Sequence, residues 1–329
     1  MTHTTKINKK FDILLKATFL IATYLYLYFE IFYNKKLQYV FSDFSCKYFL
    51  TLYVFFIVIL MPVNWITEAY KWKYSVKNIQ KIQLQNSIKA VLASVAMGVF
   101  TPNRTGEIPG RAFYLNNCRL WEATFSTMIG AIAQLVVTLV SGFILLPFFL
   151  NKIINDNIIL IVFTIISILL SIIITYLYFN INHLSKLSNW KIFRKASGFS
   201  EQIEIFKSFS SKMLFHILLL SLLRYVIFSI QFILTLKSFS INLSFSQYLI
   251  TVPVYYLIIT AVPTIALSEI GVRGSAGVFI FSFYGLKNDA FQFNLLIAST
   301  FIWIINVVIP AIIGTFFIPS VKFTKLASQ

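Results

Sequence analysis

Ile158 to Phe179 reads IILIVFTIISILLSIIITYLYF, an apolar run with no charged residue. A helix rising about 1.5 Å per residue needs about 20 such residues to cross a hydrocarbon core roughly 30 Å thick. Met213 to Leu236 (MLFHILLLSLLRYVIFSIQFILTL) is as long and is interrupted by one charge, Arg224. The whole chain follows this pattern: 58% of its 329 residues are hydrophobic and 12% are charged, against about 25% charged in an ordinary soluble domain. With a mean hydropathy of +0.79, a water-soluble globule is excluded. Ten-residue alternating strands, the mark of a membrane β-barrel, are absent from the sequence, so helices must satisfy the backbone in the bilayer. The fold class is all-α and polytopic.

Six segments are long enough to span: roughly 11–33, 48–67, 121–150, 158–179, 213–236 and 293–317. Two other apolar stretches are awkward. Segment 88–100 is short and runs into TPNRTGEIPGR, while 247–263 runs into TIALSEIGVRGSAG and then a brief apolar piece. Both read as re-entrant or broken helix pairs. With both termini on one face, that face collects nineteen Lys and Arg and the other six, so the positive-inside rule makes it cytoplasmic. A full span at 88–100 would export the basic loop 180–212, which argues for an excursion that returns to its own side. The net charge of +17 suits an anionic leaflet better than nucleic acid, since no basic soluble domain is present to bind the latter.

Polar residues deep in apolar sequence are costly and therefore the first functional candidates. They concentrate in Pro102-Asn-Arg104-Thr-Gly106-Glu107-Ile-Pro-Gly110-Arg111 and in Pro263-Thr-Ile-Ala-Leu-Ser-Glu269-Ile-Gly271-Val-Arg273-Gly274. Each begins with Pro and holds a Glu-Ile pair followed by Arg four residues after the Glu, as if one motif were used twice. If the loops dip from opposite faces, they form the inverted repeat of secondary transporters and meet near the midplane. Arg104, Arg111 and Arg273 offer planar forks for phosphate oxygens, and Gly106, Gly110 and Gly271 allow close backbone approach. Helix starts beyond Gly110 and Gly274 are expected to add their N-terminal dipoles. Glu107 and Glu269 can neutralise those Arg residues, bind an amine, or take up a proton. The plain alternative is that Glu and Arg at i, i+4 simply pair on a helix.

Arg224, within a spanning run, should face a partner or a wet cavity. Gln134 and Asn306 suit interhelical hydrogen bonding. Arg119 and Glu122 suit interfacial anchoring at the start of a helix. His183 and His216 have no carboxylate or Cys companion nearby in sequence, and Cys46 and Cys118 stand alone, so neither catalysis nor a metal site is indicated. Residues 180–212, with Trp190 and Phe193 among basic residues, fit an interfacial amphipathic segment. No Walker, dinucleotide, zinc-protease or nucleophile-elbow pattern occurs, and no cofactor is expected.

The Pro102-x-Arg104-x-Gly106-Glu107 loop and the later Glu269-x-Gly271-x-Arg273 loop resemble the integral-membrane lysylphosphatidylglycerol synthase/flippase-like family, as does Asn64-Trp65-x-x-Glu68-Ala69-x-Lys71-Trp72. The resemblance runs through nearly the whole chain, as one membrane domain over 1–329. It implies a module of the bacterial cytoplasmic (inner) membrane that binds or translocates a charged phospholipid or lipid-linked intermediate. In the full-length synthases a soluble transferase domain follows. Only ten residues follow Pro319 here, so synthase activity is not expected.

The expectation is a flippase-like carrier whose substrate contacts come from Arg104, Gly106, Glu107, Gly110, Arg111, Glu269, Gly271, Arg273 and Arg224. Two other readings stand beside it: a membrane-embedded transferase using Glu107 or Glu269 as base, and a non-transporting scaffold that binds a partner enzyme at the cytoplasmic face.

Overall fold

The computed structural model describes residues 52–182 and 204–320, except 100, 117, 263, 265 and 285–288, together with scattered helical positions between 13 and 25. Apart from those positions the expected first span at 11–33 lies outside the described residues, as do both termini, Cys46, His183 and most of the basic segment 180–212. The described secondary structure is all helix: α1 (Leu52–Ser75), α2 (Leu84–Gly98), α3 (Glu107–Ala112), α4 (Leu120–Leu150), α5 (Asn157–Phe179), α6 (Ser211–Ser238), α7 (Phe245–Ala261), α8 (Ala266–Ser282), α9 (Asp289–Trp303) and α10 (Ile309–Thr315). A π-helical turn, Ile304–Val308, joins the last two into one continuous rod.

Five of these, among the described residues, are long and apolar enough to cross a membrane: α1, α4, α5, α6 and the α9–α10 rod. They coincide with five of the six expected spans, although α1 runs on to Ser75 rather than ending near 67. Lys71 therefore belongs to a membrane helix and not to the following loop. Helix ends follow local chemistry. Asp156 caps α5 by accepting from the Ile158 and Ile159 amides, Ser210 caps α6, and Ser244 with Gln247 forms a capping box on α7. The π turn precedes Pro310, whose missing N–H cannot continue the regular ladder.

Apolar burial sorts the spans. Only 11% of the spanning window of α5 is buried, against 72% for the α9–α10 rod. Helix α5 thus lies on the lipid-facing rim, with Ile161, Ile165 and Ile172 all exposed, and the rod forms the centre. The largest buried cluster links α1, α4, α6, α7, α8 and α9, with Phe232 and Tyr255 stacked at 4.7 Å.

The two awkward stretches are helical hairpins. Helix α2, 15 residues long, reaches about 22 Å and cannot span alone. The chain then turns at 99–106 and returns through α3, so that the Asn116 amide donates to Gln80 Oε1 at 2.8 Å. Both ends of this hairpin therefore lie on one side. That is the side where α6 begins, since Asn78 donates to the Ser208 carbonyl at 2.9 Å. The second hairpin, α7 and α8, has its ends on the opposite side: α7 follows the end of α6, Lys152 just beyond α4 sits 3.8 Å above the Tyr284 ring, and Phe149 meets Phe283 edge-on. The hairpins enter the bundle from opposite faces.

One expectation needs correcting. The helix starts placed beyond Gly110 and Gly274 lie earlier, at Glu107 and Ala266, so each Glu-Arg pair occupies a single helical turn. Gly110 and Gly106 are packing glycines: an added Cβ at Gly110 would lie 3.2 Å from Ser94 Cβ, and at Gly106 2.9 Å from Thr101 Cγ2.

Candidate functional site

Both Glu-Arg pairs form as i, i+4 ion pairs. Arg111 donates to Glu107 at 3.0 Å, and Arg273 donates twice to Glu269, at 2.8 and 3.0 Å. Their surroundings differ. Glu269 has Arg273 as its ion-pair partner, whereas the first pair belongs to a larger cluster built around Glu68 of α1.

Glu68 is 3% exposed and receives cations from three elements. Lys71, one turn along α1, is 2.7 Å away. Arg224 of α6 is 3.1 Å away. Arg111 of α3 binds the other carboxylate oxygen. Arg104 in turn pairs with Glu107. A carboxylate this deep survives only when paired and hydrogen-bonded, and the chain supplies both. Further donors and acceptors orient the cations: Arg111 Nε donates to Ser94 at 3.1 Å, and Arg224 Nε to Asn64 at 2.9 Å. Lys71 reaches Gln134 at 3.5 Å. The Arg224 guanidinium lies 5.3 Å from the Trp65 ring centre and 5.2 Å from that of Phe228, within cation–π range.

Asn64, Glu68 and Lys71 are functional candidates that the loop-centred reading passed over. They recur at i, i+4 and i+7 on α1, which places them on one helix face. That polar stripe in an apolar helix was the available signal. Gln134 and Asn306 act between helices as expected, with Asn64 Nδ2 lying 3.5 Å from Asn306 Oδ1, yet both also line the cavity described next. His216 instead packs its ring against Tyr74.

The hairpin tips meet. The Asn103 amide donates to the Thr264 carbonyl at 3.0 Å, and the Thr264 amide donates back to Asn103 Oδ1 at 2.8 Å. Around this contact lies a cavity of three compartments. One, about 430 Å³, spans both tips and is lined by Thr101, Asn103, Arg104, Thr264, Glu269 and Arg273. A second, about 340 Å³, is lined by Glu68, Lys71, Arg104, Glu107, Arg111 and Arg224. The third, about 250 Å³, is aromatic, with Tyr225, Phe228, Phe232, Tyr255, Tyr256 and Trp303 facing Arg104, Arg224 and Arg273.

Arg104 lines all three compartments. Its backbone is left-handed, φ 58°, directly after Asn103 at φ 47°, a strained pair for residues with a Cβ. Of the other sequence-selected residues, Glu107, Arg111, Arg224, Glu269 and Arg273 also line the cavity, Gly271 sits half-buried in α8 between Glu269 and Arg273, and Arg111, 8% exposed, is held by Ser94, Glu68 and Glu107. No grouping of His, Cys, Asp and Glu among the described residues is arranged to hold a metal ion.

No curated protein and no solved structure matches the chain. The family described as Lysylphosphatidylglycerol synthase TM region matches residues 17–314, which takes in both hairpins, the Glu68 cluster and every span described above. The protein is an integral membrane protein and belongs to the lysylphosphatidylglycerol synthase transmembrane-region family.

Proposed function

We propose that the protein binds the headgroup of an anionic or zwitterionic phospholipid or lipid-linked intermediate between its two hairpins and carries it across the bilayer. The supporting observation is the cavity itself: a polar space at the meeting point of hairpins from opposite faces, lined by more cations than carboxylates, inside a bundle whose outer surface is apolar. Guanidinium groups hold phosphate oxygens through paired hydrogen bonds. Broken helices that meet near the midplane, with one repeat gating against the other around a fixed site, are the architecture of many secondary transporters. Closing one tip while the other opens would expose the same cations first to one face and then to the other. The excess of basic residues expected on one face supports a reading with both termini on the cytoplasmic side of the bacterial inner membrane.

Mass spectrometry of lipids retained by the purified protein tests this, comparing wild type with Arg104→Gln and Arg273→Gln from the same membranes. The reading requires one phospholipid class enriched over bulk membrane in wild type, lost in both variants, and moved between leaflets by the reconstituted protein. Retained lipid that mirrors the bulk in all three would overturn it.

A further inference from the structure

The charges around the cavity are unevenly matched. At the second hairpin Arg273 is balanced by Glu269. At the first, Glu68 and Glu107 face Lys71, Arg104, Arg111 and Arg224, an excess of two positive charges within one compartment. Uncompensated charge in a membrane interior is expensive, so this compartment is complementary to two negative charges and not to one.

The four cations are not equally available. Glu68 pairs with Lys71, Arg111 and Arg224 alike, but the Lys71 and Arg111 side chains are only 1% and 9% exposed. Arg104 and Arg224 are more open, at 23% and 13%, and both line the first-hairpin and the aromatic compartments. Arg104 Nε is buried without a hydrogen-bond partner, so the site holds an unused donor beside the cavity.

We infer that this compartment selects a phosphate group carrying nearly two negative charges, a phosphomonoester or diphosphate, through Arg104 and Arg224. The inference rests on the proposed lipid-headgroup reading and narrows it. A phosphodiester supplies one charge, whereas a terminal phosphate with its second pKa near 6 supplies between about 1.5 and 2 at neutral pH. A headgroup whose amine cancels its phosphate would leave the excess unmet.

Thermal unfolding in phosphatidylcholine nanodiscs separates the possibilities, because a ligand that binds the folded state raises the midpoint. Three additions are compared: phosphatidate in the bilayer, phosphatidylglycerol in the bilayer, and inorganic pyrophosphate in the buffer. Phosphatidate should bind about tenfold more tightly than phosphatidylglycerol, as expected for one additional desolvated charge interaction. Arg104→Gln should reduce that preference to about twofold or less, while Arg104→Lys, which keeps the charge but loses the bidentate fork, should weaken both lipids and retain the preference between them. If Arg104→Gln does not fold, Arg224→Gln takes its place, and the wild-type comparison of the two lipids still decides.

Equal or tighter binding of phosphatidylglycerol overturns the inference and leaves the lipid reading standing. Stabilisation by pyrophosphate with none by phosphatidate keeps a site for a multiply charged phosphate but overturns a lipid source. No stabilisation by any of the three overturns the inference, and the lipid reading is then decided by the retained-lipid comparison.

Discussion

Asn103 and Thr264, 161 positions apart in the chain, bond to each other at the tips of hairpins that enter from opposite faces. Asn103 uses its backbone amide as donor and its side-chain oxygen as acceptor, so one residue closes a two-bond ring with the facing backbone. Asparagine is also among the few residues with a Cβ that adopt the left-handed conformation readily. A single side chain thus fixes both the local turn and the contact between the two halves of the site.

Two substitutions at this position separate those roles. Asn103→Gly removes the acceptor but suits the backbone, whereas Asn103→Ala removes the acceptor and strains φ. The acceptor is worth about 1 kcal/mol and the left-handed alanine costs about 1 kcal/mol more. Asn103→Ala should therefore unfold more easily than Asn103→Gly, and both more easily than wild type, in denaturation of the detergent-solubilised protein. Equal stability of all three would show that the tips do not hold each other.

Glu68 makes a different prediction, because three cations depend on it. Glu68→Ala leaves buried positive charge uncompensated, a change that costs about 3–5 kcal/mol in buried pairs. Little folded protein should be recovered. Removing a cation at the same time should restore part of the loss, so Glu68→Gln with Lys71→Met should give more monodisperse protein on size exclusion than Glu68→Gln alone. If the double variant is no better, Glu68 does not serve as the balancing charge.

Five of the six expected spans and both hairpins were legible because a bilayer forces long apolar runs, and because charge parity argues against a full crossing at 88–100. The Glu-Arg loops were legible as polar islands. Glu68 and Lys71, although part of the family-like stretch and of a polar stripe at i, i+4 and i+7, were not legible as buried charges, for a physical reason: they sit near the end of a helix where apolar sequence gives way to polar, and there a buried charge looks the same as an interfacial one. Lys71, Arg104 and Arg111 are among the nineteen basic residues assigned to the cytoplasmic face, yet all three join the ion-pair cluster around Glu68 and Glu107. Setting them aside leaves sixteen basic residues on one face against six, so the inferred orientation does not depend on the misplaced charges. The meeting of Asn103 with Thr264 depends on how the hairpins pack, which no local pattern encodes.

The opposed directions of the hairpins can be checked by labelling. Asn116 ends the first hairpin and Asn151 follows α4 on the other side, and both are exposed. With Cys46 and Cys118 replaced, Asn116→Cys should react with a membrane-impermeant maleimide only in inverted vesicles and Asn151→Cys only in intact spheroplasts. Labelling of both from the same face would refute the opposed arrangement.

Two glycines make opposite predictions from the same substitution. At Gly314 in α10 an added Cβ would fall 2.0 Å from the Leu92 carbonyl oxygen. That neighbour is backbone of α2 and cannot turn aside, so the two helices must separate. Close approach through small residues is a main source of helix association in membranes, and overpacking of this kind costs about 1–3 kcal/mol. Moving α2 would also displace Ser94, which holds Arg111, so Gly314→Ala should weaken both stability and ligand retention. At Gly130 the nearest atom to an added Cβ is Lys71 Cε at 3.5 Å, an ordinary contact with a side chain. Because glycine inside a helix costs about 0.5–1 kcal/mol relative to alanine, Gly130→Ala should be neutral or stabilising. A lower unfolding midpoint for Gly314→Ala and an unchanged or higher one for Gly130→Ala would locate the packing constraint at the contact between α2 and α10. The reverse order would place it beside the Glu68 cluster instead.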